Sequence, residues 1–277
     1  MIINRRSQFA KKGRGAIKIL TSLNKRERLI FSVIVLSLGL FIAEHLLGKS
    51  GIFTVFTIAI VTDLLLFLSL YSDLKENTFL QIFILPFFFS LAFGLFYFLV
   101  PIRYLTRIFT TSLYAIGLYS LFLSENIFTV SSIRTIALLT SARTVAFVIT
   151  LVSFFFLSNV LFSLHTQLIL FLPLLFLFSF PLCLHSIWTY TLEKKLFQNI
   201  YWPLVLTFII LEVGSILWFW PSTPTVLSIF LTGVFYTTVG LSQVWFERRL
   251  FKSVMWEYIW VSCIVLVMLL LFTSWTG

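Results

Sequence analysis

Two carboxyls, Asp63 and Glu212, sit near the middles of apolar runs about as long as a bilayer is thick. Burying an ionisable group at that depth costs about 3 kcal/mol on insertion scales, so such residues usually serve a purpose. The chemistry open to them is proton or cation handling. The alternative is a neutral carboxyl hydrogen-bonded to Ser, Thr or Tyr across a helix interface. The apolar runs offer no Lys or Arg at matching depth, so neither carboxyl has an obvious ion-pair partner.

Further polar positions recur at helical spacing. Ser179, Cys183, Ser186 and Tyr190 form one stripe, and Thr225, Ser228, Thr232 and Tyr236 form another. Stripes of this kind mark faces turned toward protein rather than lipid; they suit helix packing and, less commonly, a hydrated path. Gly233 and Gly240, seven residues apart, suit a close backbone approach. The connection around residues 125–143 holds a third set, Glu125, Arg134 and Arg143. One arginine there could hold an anionic headgroup or phosphate, with Glu125 as local counter-charge, or both could simply reach for lipid phosphates from an interfacial elbow. Nine residues separate the arginines, about two and a half helical turns, so one unbroken helix points them to opposite sides.

Other chemistries lack their residues. A metal site wants three or four ligands, whereas three His and two Cys are scattered along the chain, with Cys183-Leu184-His185 the nearest to a cluster. No metal or other cofactor is expected. The sequence has no HExxH, Gly-x-Ser-x-Gly, phosphate-binding Gly loop or Asp-rich cluster, so no catalytic residue is assigned.

The elements that must position these groups follow from composition. The chain is 60% hydrophobic and 11% charged, far from a soluble domain. With about 20 apolar residues needed per crossing, nine spans are predicted, near 29–47, 52–71, 79–100, 105–124, 144–164, 168–190, 202–220, 225–244 and 254–274. The expected fold is an all-α polytopic bundle. It comprises a basic N-terminal segment 1–28 with a short interfacial helix, a four-helix block 29–124, an interfacial link 125–143 that is amphipathic near 131–142, and a five-helix block 144–277. The net charge of +10 does not imply nucleic acid, because nine of the twenty Lys and Arg lie in the first 28 residues, beside a membrane segment. Placing the N-terminus in the cytoplasm puts those nine and eight loop charges inside and only Lys49, Arg103 and Arg107 outside. The C-terminus is then expected outside.

The run Ser124-Glu125-Asn126-Ile127-Phe128, followed by Ile133-Arg134-Thr135-Ile136-Ala137-Leu138-Leu139 and Ala142-Arg143-Thr144-Val145, resembles uncharacterised multi-pass membrane proteins of small-genome candidate-phylum bacteria. That resemblance implies a bacterial plasma membrane and no known activity. The leading expectation is a non-enzymatic scaffold or subunit that docks membrane partners, a second copy or anionic lipids. The alternatives are a small permease or ion-coupled transporter using Asp63 and Glu212, and an enzyme acting on a lipid-linked substrate at the inner interface.

Overall fold

The computed structural model describes residues 24–46, 51–74, 80–99, 104–131, 137–192 and 200–273. Among them are nine α-helices and no strand. They are α1 (Lys25–Leu46), α2 (Gly51–Leu74), α3 (Ile84–Tyr97, entered through a 3-10 turn, Leu80–Phe83), α4 (Tyr104–Ser131), α5 (Leu139–Ser163), α6 (Leu168–Thr191), α7 (Tyr201–Trp218), α8 (Pro224–Phe246) and α9 (Lys252–Leu271). Helix is the form expected of such runs, because hydrocarbon offers a backbone N–H or C=O no partner outside its own segment. Eight of the nine are long and apolar enough to cross a membrane, and α1 opens on the charged Lys25-Arg26-Glu27-Arg28. The protein is therefore an all-α, multi-pass integral membrane protein.

Local sequence sets several helix ends. Pro224 takes the first helical position of α8 behind the extended Thr223, where its missing N–H has no helical partner to lose. Leu192 closes α6 in the left-handed conformation. Pro173 and Pro181 lie inside α6, which continues past both.

The helices alternate in direction. One end of the bundle gathers Lys25, Arg26, Arg28, Arg143, Arg248, Arg249 and Lys252, and is called the basic end below. The basic segment 1–23 and Arg134 lie outside the described residues. The link differs from its expected form. Residues Glu125 to Ser131 continue α4, and Leu139 to Arg143 already belong to α5. The length of a bilayer crossing suggested an end at residue 124; α4 runs on to Ser131, and the Glu125 carboxyl meets a buried partner, His185.

The core is built around α3 and α5. Helix α3 packs against α2, α4, α5 and α6, and α5 packs against α3, α4, α6 and α8, so the blocks of four and five share one interior. Aromatic rings fill it. Phe89 stacks on Tyr114 with centroids 5.6 Å apart, and Phe156 stacks on Phe96 at 4.1 Å while meeting Phe93 edge-on at 4.9 Å. Hydroxyls are paired within it: Ser90 lies 2.9 Å from both Thr62 and Tyr114, joining α2, α3 and α4.

Helix α9 stands apart from this core. Its main packing is against α8, and only 6% of its apolar span is buried. Glycine makes the seam possible, since a Cβ added at Gly233 would lie 2.7 Å from Val265 Cγ1 and one at Gly240 would lie 2.6 Å from Tyr258 Cε1. One hydroxyl pair, Thr237–Ser262 at 2.8 Å, crosses the seam. Gly233→Leu is expected to unseat α9. Overpacking of this kind costs roughly 1–3 kcal/mol, so a disulfide between Thr237→Cys and Ser262→Cys, in a Cys263→Ser background, should form about tenfold more slowly once Gly233 is replaced. An unchanged rate would show that glycine is not required at the seam.

Candidate functional site

Two parallel helices bring ionisable groups together in the half of the bundle nearer the basic end. Glu125 lies six residues before the end of α4, and His185 lies six residues before the end of α6. Both are therefore about 9 Å along their helices from the basic end. Their side chains meet, with His185 Nε2 2.9 Å from Glu125 Oε1, and both are 0% exposed. One helical turn further toward the basic end, Phe128 and Trp188 meet edge to face at 6.1 Å, and the His185 and Trp188 ring centroids are 5.9 Å apart. Phe128 and Trp188 are themselves buried. An aromatic layer thus lies between the pair and the basic end.

Asp63 lies on α2, which packs against α4, and its Oδ1 is buried. The 3-10 turn ahead of α3 packs against α4 and α6 and carries buried Gln81. Among the described residues, Glu125 Oε2, His185 Nδ1, Asp63 Oδ1, Gln81 Oε1 and Ser186 Oγ are buried without a hydrogen-bond partner. Most of these atoms are acceptors.

The Glu125–His185 contact holds a single proton between two atoms. Carboxylic acid with imidazole and carboxylate with imidazolium contain the same number of protons and the same net charge. Moving the proton across the bond therefore leaves the pair neutral overall, the condition under which an ionisable pair is tolerable away from water. Gain or loss of one further proton changes the pair's charge.

Arg143 occupies a second polar junction, and it is turned into the protein. Its Nε donates to the Thr189 carbonyl at 2.9 Å and its Nη2 to the Tyr190 carbonyl at 3.2 Å, both in the last turn of α6. Nη1 reaches Glu247 Oε1, at the end of α8, at 3.4 Å. The guanidinium also lies over the Tyr190 ring, 4.5 Å from its centroid. A cation among the terminal carbonyls of α6 answers the negative end of that helix's dipole. Arg143 thus joins α5, α6 and α8 rather than standing free for a lipid headgroup. Glu125, expected as counter-charge to one arginine of the link, is instead held by His185, and Glu247 pairs with Arg143.

Asp63 and Glu212 are not brought together. Asp63 lies on α2, which packs against α1, α3 and α4, whereas Glu212 is exposed on α7, which packs against α6 and α8. The polar stripes serve packing. Ser179 and Cys183 are buried, the Ser186 carbonyl accepts from Gln243 on α8 at 3.3 Å, and Tyr190 lies beneath Arg143. On α8, Ser228 and Thr232 donate back to carbonyls of their own helix at 2.6 and 2.7 Å. Thr225 accepts from Asn159 on α5 at 3.2 Å, and the Tyr236 ring lies between Phe147 and Tyr258.

Glu247 is a site residue that sequence spacing did not single out, and His185 was marked only beside Cys183, as part of a metal cluster too small to be expected. The available signal was a histidine inside an apolar run, the same signal that marked Asp63.

Fold and site together define a helical, multi-pass integral membrane protein with a buried ionisable cluster. The chain belongs to the family described as protein of unknown function (DUF5656), whose model matches residues 38–272. No curated protein and no solved structure matches it.

Proposed function

We propose that the protein is a small proton-coupled permease whose coupling site is Glu125, His185 and Asp63. The observation that carries this reading is the fully buried Glu125–His185 pair, on two parallel helices in the interior of the bundle. Chains of Asp, Glu and His inside a membrane are the usual means by which pumps and transporters pass protons. The basic end then faces the cytoplasm of a bacterial cell and the anionic leaflet of its plasma membrane, as the distribution of positive charge supports.

The test is proton movement in proteoliposomes under an imposed membrane potential, followed with a pH-sensitive dye inside the vesicles. Protein-containing vesicles should take up protons faster than empty ones, and Glu125→Gln and Asp63→Asn should each abolish the excess. Uptake no faster than in empty vesicles, or unchanged in both variants, would overturn the reading.

The exposed faces of α7 and α9 favour a second reading, a scaffold or subunit that docks another membrane protein. Helix α9 buries almost nothing of its span, and α7 presents a carboxyl where lipid would otherwise be. Both roles can reside in one molecule, because the ionisable cluster lies on α2, α4 and α6.

A further inference from the structure

Glu212 is the twelfth residue of the eighteen in α7, and its side chain is exposed. The residues sharing its face are apolar and open, with Val205 54%, Phe208 57% and Ile216 60% exposed. They stand seven and four residues before it and four after, one stripe along the helix. The helix cannot turn this stripe inward, because its opposite side is fixed: Leu206, Thr207, Ile210, Gly214 and Leu217 are buried. Gly214 lies so close to Leu175 of α6 that even a Cβ there would collide with its side chain. The carboxyl is therefore held facing outward among apolar groups. Among the described residues, no basic side chain pairs with Glu212.

A group so placed needs a donor from outside the chain, since hydrocarbon supplies none. A second copy meets this need poorly. The basic groups described here stand at helix ends, and across a two-fold axis Glu212 would face only another Glu212 or its neighbour Ser215. We propose that the outward face of α7 binds a transmembrane helix of another protein carrying a lysine or arginine at the depth of Glu212. The inference rests on the docking reading above and gives the partner its chemistry.

The test uses the full chain, donor-labelled in lipid vesicles, with acceptor-labelled single-span polyleucine peptides that carry either lysine or leucine at the centre. Energy transfer should report association of the lysine peptide at a peptide-to-lipid ratio about tenfold lower than that of the leucine peptide. Glu212→Leu should remove the preference. Glu212→Gln, which keeps hydrogen-bonding capacity but carries no charge, should remove most of it; both variants should retain wild-type helicity and elution. Equal association of the two peptides overturns the basic-partner inference while leaving docking intact. Association of neither peptide removes both. A lysine preference that survives Glu212→Leu, or Glu212-dependent energy transfer between two copies without any lysine preference, also overturns the inference, and the last result makes the second copy the occupant.

Discussion

His185→Leu is expected to destabilise the folded protein by about 3–5 kcal/mol, the usual cost of removing one member of a buried ionisable pair. The magnitude comes from what remains. Glu125 would keep one oxygen that has no partner now and gain a second, in a place with no exposure to solvent. Glu125→Leu should do comparable damage by stranding the imidazole, whose Nδ1 is already unpaired. Glu125→Gln should lose only about 1 kcal/mol, because the amide can still hydrogen-bond Nε2. The combined variant Glu125→Leu, His185→Leu should be more stable than either single one, since two apolar side chains leave nothing stranded. Unfolding of the purified protein in mixed micelles, run as a double-mutant cycle, measures all four. A near-zero coupling energy would contradict the structure at this point.

The same cycle separates two meanings of the pair. A purely structural contact predicts that the stable double-leucine variant behaves like the native chain. The coupling site proposed above predicts a well-folded protein whose excess proton uptake is gone. Stability and transport should thus part company in this variant, as they do in Glu125→Gln and do not in either single leucine substitution.

The helices were legible in the sequence for a simple reason. The bilayer fixes the length of an apolar run, and turn residues such as Gly51 and Pro224 stand at the ends. What a run of residues cannot show is which way each helix turns. Asp63 and Glu212 look alike in sequence, yet the neighbours of α2 bury an oxygen of one while the packing of α6 on α7 leaves the other outside. His185 was hidden because its partner is 60 residues away, beyond any local spacing rule. The end of α4 was misplaced because the length of a bilayer crossing suggested residue 124, whereas the helix runs on to Ser131. The Gly233 and Gly240 seam was visible because both glycines fall on one helix and near one face.

Arg143→Ala is expected to be the most damaging change at the basic end, lowering stability by about 2–4 kcal/mol through loss of charge-assisted hydrogen bonds to three acceptors. Its partners lie 46, 47 and 104 residues away, so the effect is on tertiary closure rather than on any one helix. Removing the guanidinium would free two carbonyls at the end of α6, strip the cation from the Tyr190 ring and leave Glu247, among the described residues, with Arg249 at 3.9 Å. Arg143→Lys should recover only part of the loss. An ammonium is a single point of charge and cannot serve two carbonyls, a carboxylate and an aromatic face with one planar group. Glu247→Gln should cost about 1 kcal/mol or less, because its contact is the longest of the three and partly open to solvent. The expected order of thermal midpoints is therefore wild type and Glu247→Gln highest, Arg143→Lys intermediate and Arg143→Ala lowest. This order also distinguishes the clamp from a headgroup site. A lipid-binding arginine would tolerate lysine, and its loss would depend on the anionic lipid supplied. A clamp discriminates sharply between arginine and lysine in neutral detergent, where no anionic headgroup is present.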